Sequence, residues 1–158
     1  MSGDAKTLLD VSLDQETVAA RSPEVEHERR VAIFDLLQEN EFALTNGPSG
    51  PYHLRLGIIE RRLCFEVRDQ QDKNLAQIML PLAPFRSVIR DYFTVCDAYY
   101  EAIKTASHAR IEAIDMGRRG LHDEGAEILR ERLARDIKID DNTARRLFTL
   151  ICVLHVRG

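Results

Sequence analysis

No apolar run in this sequence approaches the roughly 18 residues that a membrane-spanning helix needs. The longest, Leu147 to Leu154, is eight residues and contains Thr149. The opening Met1-Ser2-Gly3-Asp4-Ala5-Lys6 has no apolar stretch, so no secretory signal is expected. Cysteine is scarce: Cys64, Cys96 and Cys152 make an odd count, and none stands at metal-ligand spacing from another. Each sits among apolar neighbours, which predicts buried free thiols in a reducing cytoplasm rather than a disulfide framework. A basic surplus is missing too. There are 22 basic and 26 acidic side chains for a formal charge of −4, which disfavours an autonomous nucleic-acid binder. The phosphate-binding glycine motifs, Gly-x-Ser-x-Gly and His-Glu-x-x-His are all lacking, as are internal repeats and low-complexity tracts.

What is present reads as one globular domain over residues 1–158. Apolar residues make up 44% and charged residues 30%, and a chain of this length can bury a core unaided. Lysine contributes only 4 of the basic residues and arginine 18, so an anion contact here would be a planar, bidentate one.

Thr7, Leu9, Val11 and Leu13 alternate with Leu8, Asp10, Ser12 and Asp14, the period of a strand. Arg21-Ser22-Pro23 opens a helix, with Ser22 as cap and Pro23 in the first turn, which Val25, Ala32, Ile33, Leu36 and Leu37 carry to about Asn40. After the breaker Asn46–Pro51 come three candidate strands: Tyr52–Ile58, Leu63–Val67 and Leu75–Leu80. Short turns near Glu60–Arg62 and Asp69–Lys73 would join them as a meander, leaving His53, Arg55, Cys64, Glu66 and Arg68 on an outer face. From Pro84 to Ile103 apolar residues recur at i, i+3 and i+4, the clearest helical signal in the chain.

Ser107 is placed to cap a second helix that Gly117 or Gly120 would end. A third runs from about Asp123 to Arg135. A fourth starts with Asp141 or Asn142 as cap, and its β-branched content leaves a strand over 143–155 as an alternative. The expected fold is α+β: a small antiparallel sheet of about four strands, one N-terminal helix and a C-terminal group of about four helices.

Four blocks carry a resemblance across essentially the whole chain: Arg21–Arg29, Asp91–Ala102, Ile111-Glu-Ala-Ile-Asp-Met-Gly-Arg-Arg-Gly-Leu-His122, and Thr143-Ala-Arg-Arg-Leu-Phe-Thr-Leu-Ile-Cys-Val-Leu-His155. In these the chain resembles uncharacterised protein family 0262, a set of alphaproteobacterial proteins of similar length. The resemblance implies a bacterial cytoplasmic protein. It transfers no catalytic or binding residue, because the family has no assigned activity.

The candidate site is the Gly117–His122 segment. As a loop feeding a helix N-terminus, it would offer free amides and the forks of Arg118 and Arg119 to a phosphate or carboxylate, with Gly120 supplying freedom and His122 a proton donor or acceptor. The competing structural readings are a helix corner, with Gly120 as C-terminal cap and Asp123 as the next cap, and a salt-bridge network. Glu24 and His27 stand at i, i+3, half of a di-iron motif with no second half, so no metal is expected and no cofactor is implied. Arg145 and Arg146 read as a solvated face or a partner salt bridge. The aromatic surplus of the 85–103 helix suggests self-association. The leading expectation is a non-enzymatic cytoplasmic adaptor or regulator working through an unidentified protein partner and self-associating as a homodimer by that aromatic face. The rival expectation is a small-molecule module or enzyme that binds a phosphate- or carboxylate-bearing ligand through Arg118, Arg119, Gly120 and His122.

Overall fold

The computed structural model describes residues 6–14 and 23–155. In chain order the elements are β1 (Leu8–Leu13), α1 (Pro23–Gln38), β2 (Phe42–Leu44), β3 (Tyr52–Ile59), β4 (Arg62–Arg68), β5 (Asn74–Pro81), α2 (Ala83–Thr105), α3 (His108–Leu133), β6 (Ile137–Ile139) and α4 (Asp141–His155). The fold is α+β, with a four-stranded sheet in the order β1-β3-β4-β5 and a separate pair, β2 with β6.

The meander forms where the turns predict it. Ile59 pairs with Arg62 across a two-residue turn in which Glu60 and Arg61 both take positive φ, at 51° and 64°. That backbone twist matches the right-handed twist of the strands it joins. The second turn works without glycine because Asp69 Oδ1 accepts from the amides of Gln71 and Lys73, both at 2.9 Å, and Asp72 takes the left-handed position at φ 65°. Cys64 lies in the outer-facing register yet is buried, opposite Gly57 and Met79.

The sheet is mixed rather than wholly antiparallel. β1 runs parallel to β3, pairing Val11 with Leu54 and Leu13 with Leu56. Parallel neighbours need a long crossover, and α1 lies in that connection. Alternation holds for Val11 and Leu13, which are buried, but a register shift between Leu8 and Asp10 buries Leu8 and leaves Leu9 exposed, and alternation carries no information about strand direction. Asn40 closes the crossover. Its Oδ1 accepts from the Leu8 amide at 2.7 Å, and its Nδ2 donates to the carbonyls of Leu8 and Leu36. The β2·β6 pair, Phe42 opposite Ile139, was not foreseen, since each strand has only three residues.

The largest departure is α3. One 26-residue helix replaces the two expected, so three helices follow the sheet. Ser107 caps it as expected, accepting from the Arg110 amide at 3.2 Å. Gly117 and Gly120 neither end the helix nor cap it. Both are exposed, and a Cβ on either would meet nothing within 4 Å. Asp115 bridges to Arg118 at 2.6 Å and to Arg119 at 2.8 Å, holding the helix across this weak stretch. Further on, α3 buries Gly125, Ala126, Leu129 and Leu133. Packing of this kind outweighs local helix propensity. Since only the glycine penalty acts at two open positions, Gly117→Ala and Gly120→Ala should each stabilise the protein by about 0.5–1 kcal/mol in denaturant unfolding. A loss of stability in either variant would show that the helix does not run straight through.

α4 is a helix, not a strand, and its cap is Asp140 rather than Asp141 or Asn142. Asp140 Oδ1 accepts from the Thr143 amide at 2.9 Å. α4 packs against α1, α3 and β3, burying Leu147, Phe148 and Ile151, and its last turn, Leu150 to Leu154, is buried on every side. A last turn buried all round needs no polar position, which is why its run of apolar and β-branched residues is also compatible with a strand. On α2, Phe85 and Tyr92 are buried, while Phe93, Tyr99 and Tyr100 are half-buried.

Candidate functional site

α1 and α3 flank α4, and the groove between them opens into a cleft of about 530 Å³. α1 lines one wall with His27, Glu28, Val31, Ala32 and Asp35, positions that share a helix face. α3 lines the other with Arg118, Arg119, His122 and Asp123. α4 contributes Arg145, Arg146 and Thr149, and α2 contributes Tyr92.

Three of the four expected site residues therefore meet in one cavity. Arg118, Arg119 and His122 line it; Gly120 does not, and the loop that was to carry them is helix throughout. Mid-helix amides are bonded within the helix, so the anion argument from free N–H groups fails here. The helix-corner reading fails for the same reason, whereas the salt-bridge network is present. Arg145 and Arg146, expected on a solvated face or in a partner salt bridge, are partly exposed and paired within the chain with Asp123 and Asp35. They join the cleft because α4 packs beside α3, and no local motif in the sequence signals that.

Arg118 is firmly placed. Its Nε and Nη2 both donate to Asp115 Oδ1, at 3.1 and 2.6 Å, and its guanidinium lies 4.7 Å from the centre of the Tyr99 ring. Burial is the largest single influence and works against the charge, but the hydrogen bonds and charge of Asp115 together with Tyr92 and Cys96 outweigh it and raise the Arg118 pKa. Those same bonds lower the pKa of Asp115. Arg119 shares Asp115 and is 73% exposed. Arg145 is bonded to Asp123 at 2.9 Å and to Asn142 at 2.7 Å. Arg146 is the loosest of the four: its nearest carboxylate, Asp35, is 3.9 Å away, and its buried Nε has no hydrogen-bond partner among the described residues.

His122 packs between the rings of Tyr92 and Phe148, each centred 5.4 Å away. Burial pushes its pKa down to about 4, so the ring is neutral at pH 7. Its Nε2 is 2.7 Å from Thr149 Oγ1, which is also 3.2 Å from the Arg145 carbonyl. Thr149 has one hydroxyl proton, so both bonds form together only when the imidazole carries its proton on Nε2. Glu28 accepts from the hydroxyls of Tyr92 at 3.3 Å and Tyr100 at 3.4 Å. Burial raises the pKa of both tyrosines and pushes the Cys96 thiol up to about 11, so these groups stay protonated.

Glu24 and His27 gather no further ligands. Among the described residues no three His, Cys, Asp or Glu side chains are grouped to hold a metal ion. No helix among them is long and apolar enough to cross a membrane.

The sequence matches an uncharacterised protein family, UPF0262, over residues 5–157. The chain belongs to this family. A UPF0262 protein of Rhodospirillum rubrum is 55% identical over 155 residues, covering 98% of this chain and 96% of that protein. One from Hyphomonas neptunium is 56% identical over 151 residues, covering 96% and 93%. One from Rhizobium leguminosarum is 51% identical, covering 96% of each. No solved structure matches the chain. UPF0262 is described only as uncharacterised, so the argument for function rests on the cleft.

Proposed function

We propose that this UPF0262 protein is a small-molecule-binding module that takes an anionic ligand in the α1–α3 cleft. The observation that carries the reading is convergence: Arg118 and Arg119 from α3 meet Arg145 and Arg146 from α4 in a single cavity that also presents Thr149 and a neutral His122. Guanidinium forks recognise carboxylate and phosphate in two-point fashion, and two of these are already oriented by Asp115, which lowers the ordering penalty on binding. His122 and Thr149 supply neutral hydrogen-bonding groups beside the anion. The three cysteines are free and buried, which supports a reducing, cytoplasmic setting.

The test is thermal melting across phosphates, sugar phosphates, nucleotides and carboxylic acids, with the Arg145→Gln/Arg146→Gln variant as control. A ligand at 100 times its Kd adds about 2.7 kcal/mol, a rise of roughly 5–10 °C for a chain of this size. We expect a saturable rise in the wild type that this variant shows only in part, through the Arg118/Arg119 end, and that a variant with all four arginines replaced by Gln lacks. Equal responses in the wild type and the four-arginine variant would mean general salt stabilisation and would remove the reading.

Protein–protein contact is the second reading. It is supported by Phe34 and Val31 on α1, which are 64% and 42% exposed. A dimer at tens of micromolar in light scattering, dissociated by Phe34→Ser, would favour it.

A further inference from the structure

The four arginines do not form one cluster. Arg118 stands beside Tyr92, whose hydroxyl meets Glu28, and Arg119 shares Asp115 with it, whereas Arg146 faces Asp35 and Arg145 is bonded to Asp123. Glu28 and Asp35 are seven residues apart on α1, and Arg118 and Asp123 five apart on α3. At the rise of an α-helix, the two ends of the cleft are separated by about 7–10 Å. Between them stand Val31, Ala32, Thr149 and the uncharged ring of His122.

Each end keeps donor capacity that the protein does not use. At the first, one carboxylate, Asp115, serves two guanidinium groups, and Glu28 is turned to the tyrosine hydroxyls. At the second, Asp123 holds Arg145, while among the described residues Arg146 has the 3.9 Å contact to Asp35 and an Nε without a partner. A compact monoanion can engage one end alone. An extended ligand gains the second contact as an intramolecular event, without a second loss of translational freedom.

We propose that the ligand of this cleft is an elongated dianion, with carboxylate or phosphate-type groups about 7–10 Å apart joined by a spacer that lies over Val31 and Ala32. The proposal rests on the anion-cleft reading and deepens it.

The experiment is calorimetric titration of the full chain with α,ω-dicarboxylates from succinate to sebacate and with α,ω-alkane bisphosphonates, each beside the monoanion of equal chain length. We expect an affinity maximum at intermediate length, around pimelate to azelate, at least ten-fold tighter than the matched monoanion. Whichever of the two anion series binds more tightly identifies the headgroup. Arg118→Gln and Arg146→Gln should each erase the dianion's advantage while leaving monoanion binding at the opposite end. If Arg118→Gln disturbs folding through Asp115 and Tyr99, Arg119→Gln reads the same end from an exposed position.

Monoanions binding as tightly as dianions would overturn this inference and leave the anion cleft standing. So would affinity that climbs with chain length regardless of the second charge, or an advantage that survives both single replacements. No saturable binding by any member would overturn both.

Discussion

Gly125→Ala should destabilise the protein by about 3 kcal/mol, although it replaces a poor helix former with the best one. A Cβ on Gly125 would overlap the ring of Phe148, which is fully buried in α4. That ring has nowhere to go: its neighbours are Tyr92, centred 6.2 Å away, and His122 at 5.4 Å. The added methyl must therefore push α3 from α4 or drive Phe148 off its rotamer, and either outweighs the helix-propensity gain of about 1 kcal/mol. Denaturant unfolding of three variants isolates the cause. Gly117→Ala and Gly120→Ala, with open space around them, should gain stability where Gly125→Ala loses it. Adding Phe148→Leu to Gly125→Ala should recover part of the loss by making room. A Gly125→Ala protein as stable as the wild type would mean that α3 and α4 do not pack this closely.

The second large effect is on pH dependence. His122 titrates at about 4 in the folded protein and near 6.5 when exposed, because burial between Tyr92 and Phe148 opposes the charge. Below 6.5 the unfolded chain takes up a proton that the folded chain refuses, so acid favours unfolding. The contribution is fully present above about pH 6.5 and is lost progressively as pH falls toward 4. Between pH 7.5 and pH 5 it amounts to about 2 kcal/mol, from the linkage relation applied to that shift. His122→Gln, which keeps a hydrogen-bonding group facing Thr149, should flatten this part of the profile without affecting the other histidines. Unfolding free energies of the two proteins at both pH values measure it. Parallel profiles would show that His122 is solvated and titrates normally.

Local signals determined a large part of this protein. Alternation and short apolar runs placed β1, β3, β4 and β5, an i, i+3, i+4 stripe placed α2, Ser107 capped α3, and the positive-φ and Asx turns fell where the sequence breaks. The burial of all three cysteines followed from their apolar neighbours. These features depend on contacts within a few residues, where propensity and pattern operate.

Tertiary structure decided the rest. It ran α3 through Gly117 and Gly120, because burial of Ala126, Leu129 and Leu133 and the Asp115 bridges outweigh two open glycines. The direction of β1 followed from its crossover to β3, and packing against α1, α3 and β3 made 141–155 a helix. The cleft belongs here as well. Arg118 and Arg119 lie more than twenty residues from Arg145 and Arg146, and nothing local ties the two pairs together. They face one cavity only because α4 packs between α1 and α3, a long-range arrangement set by which apolar faces fit one another.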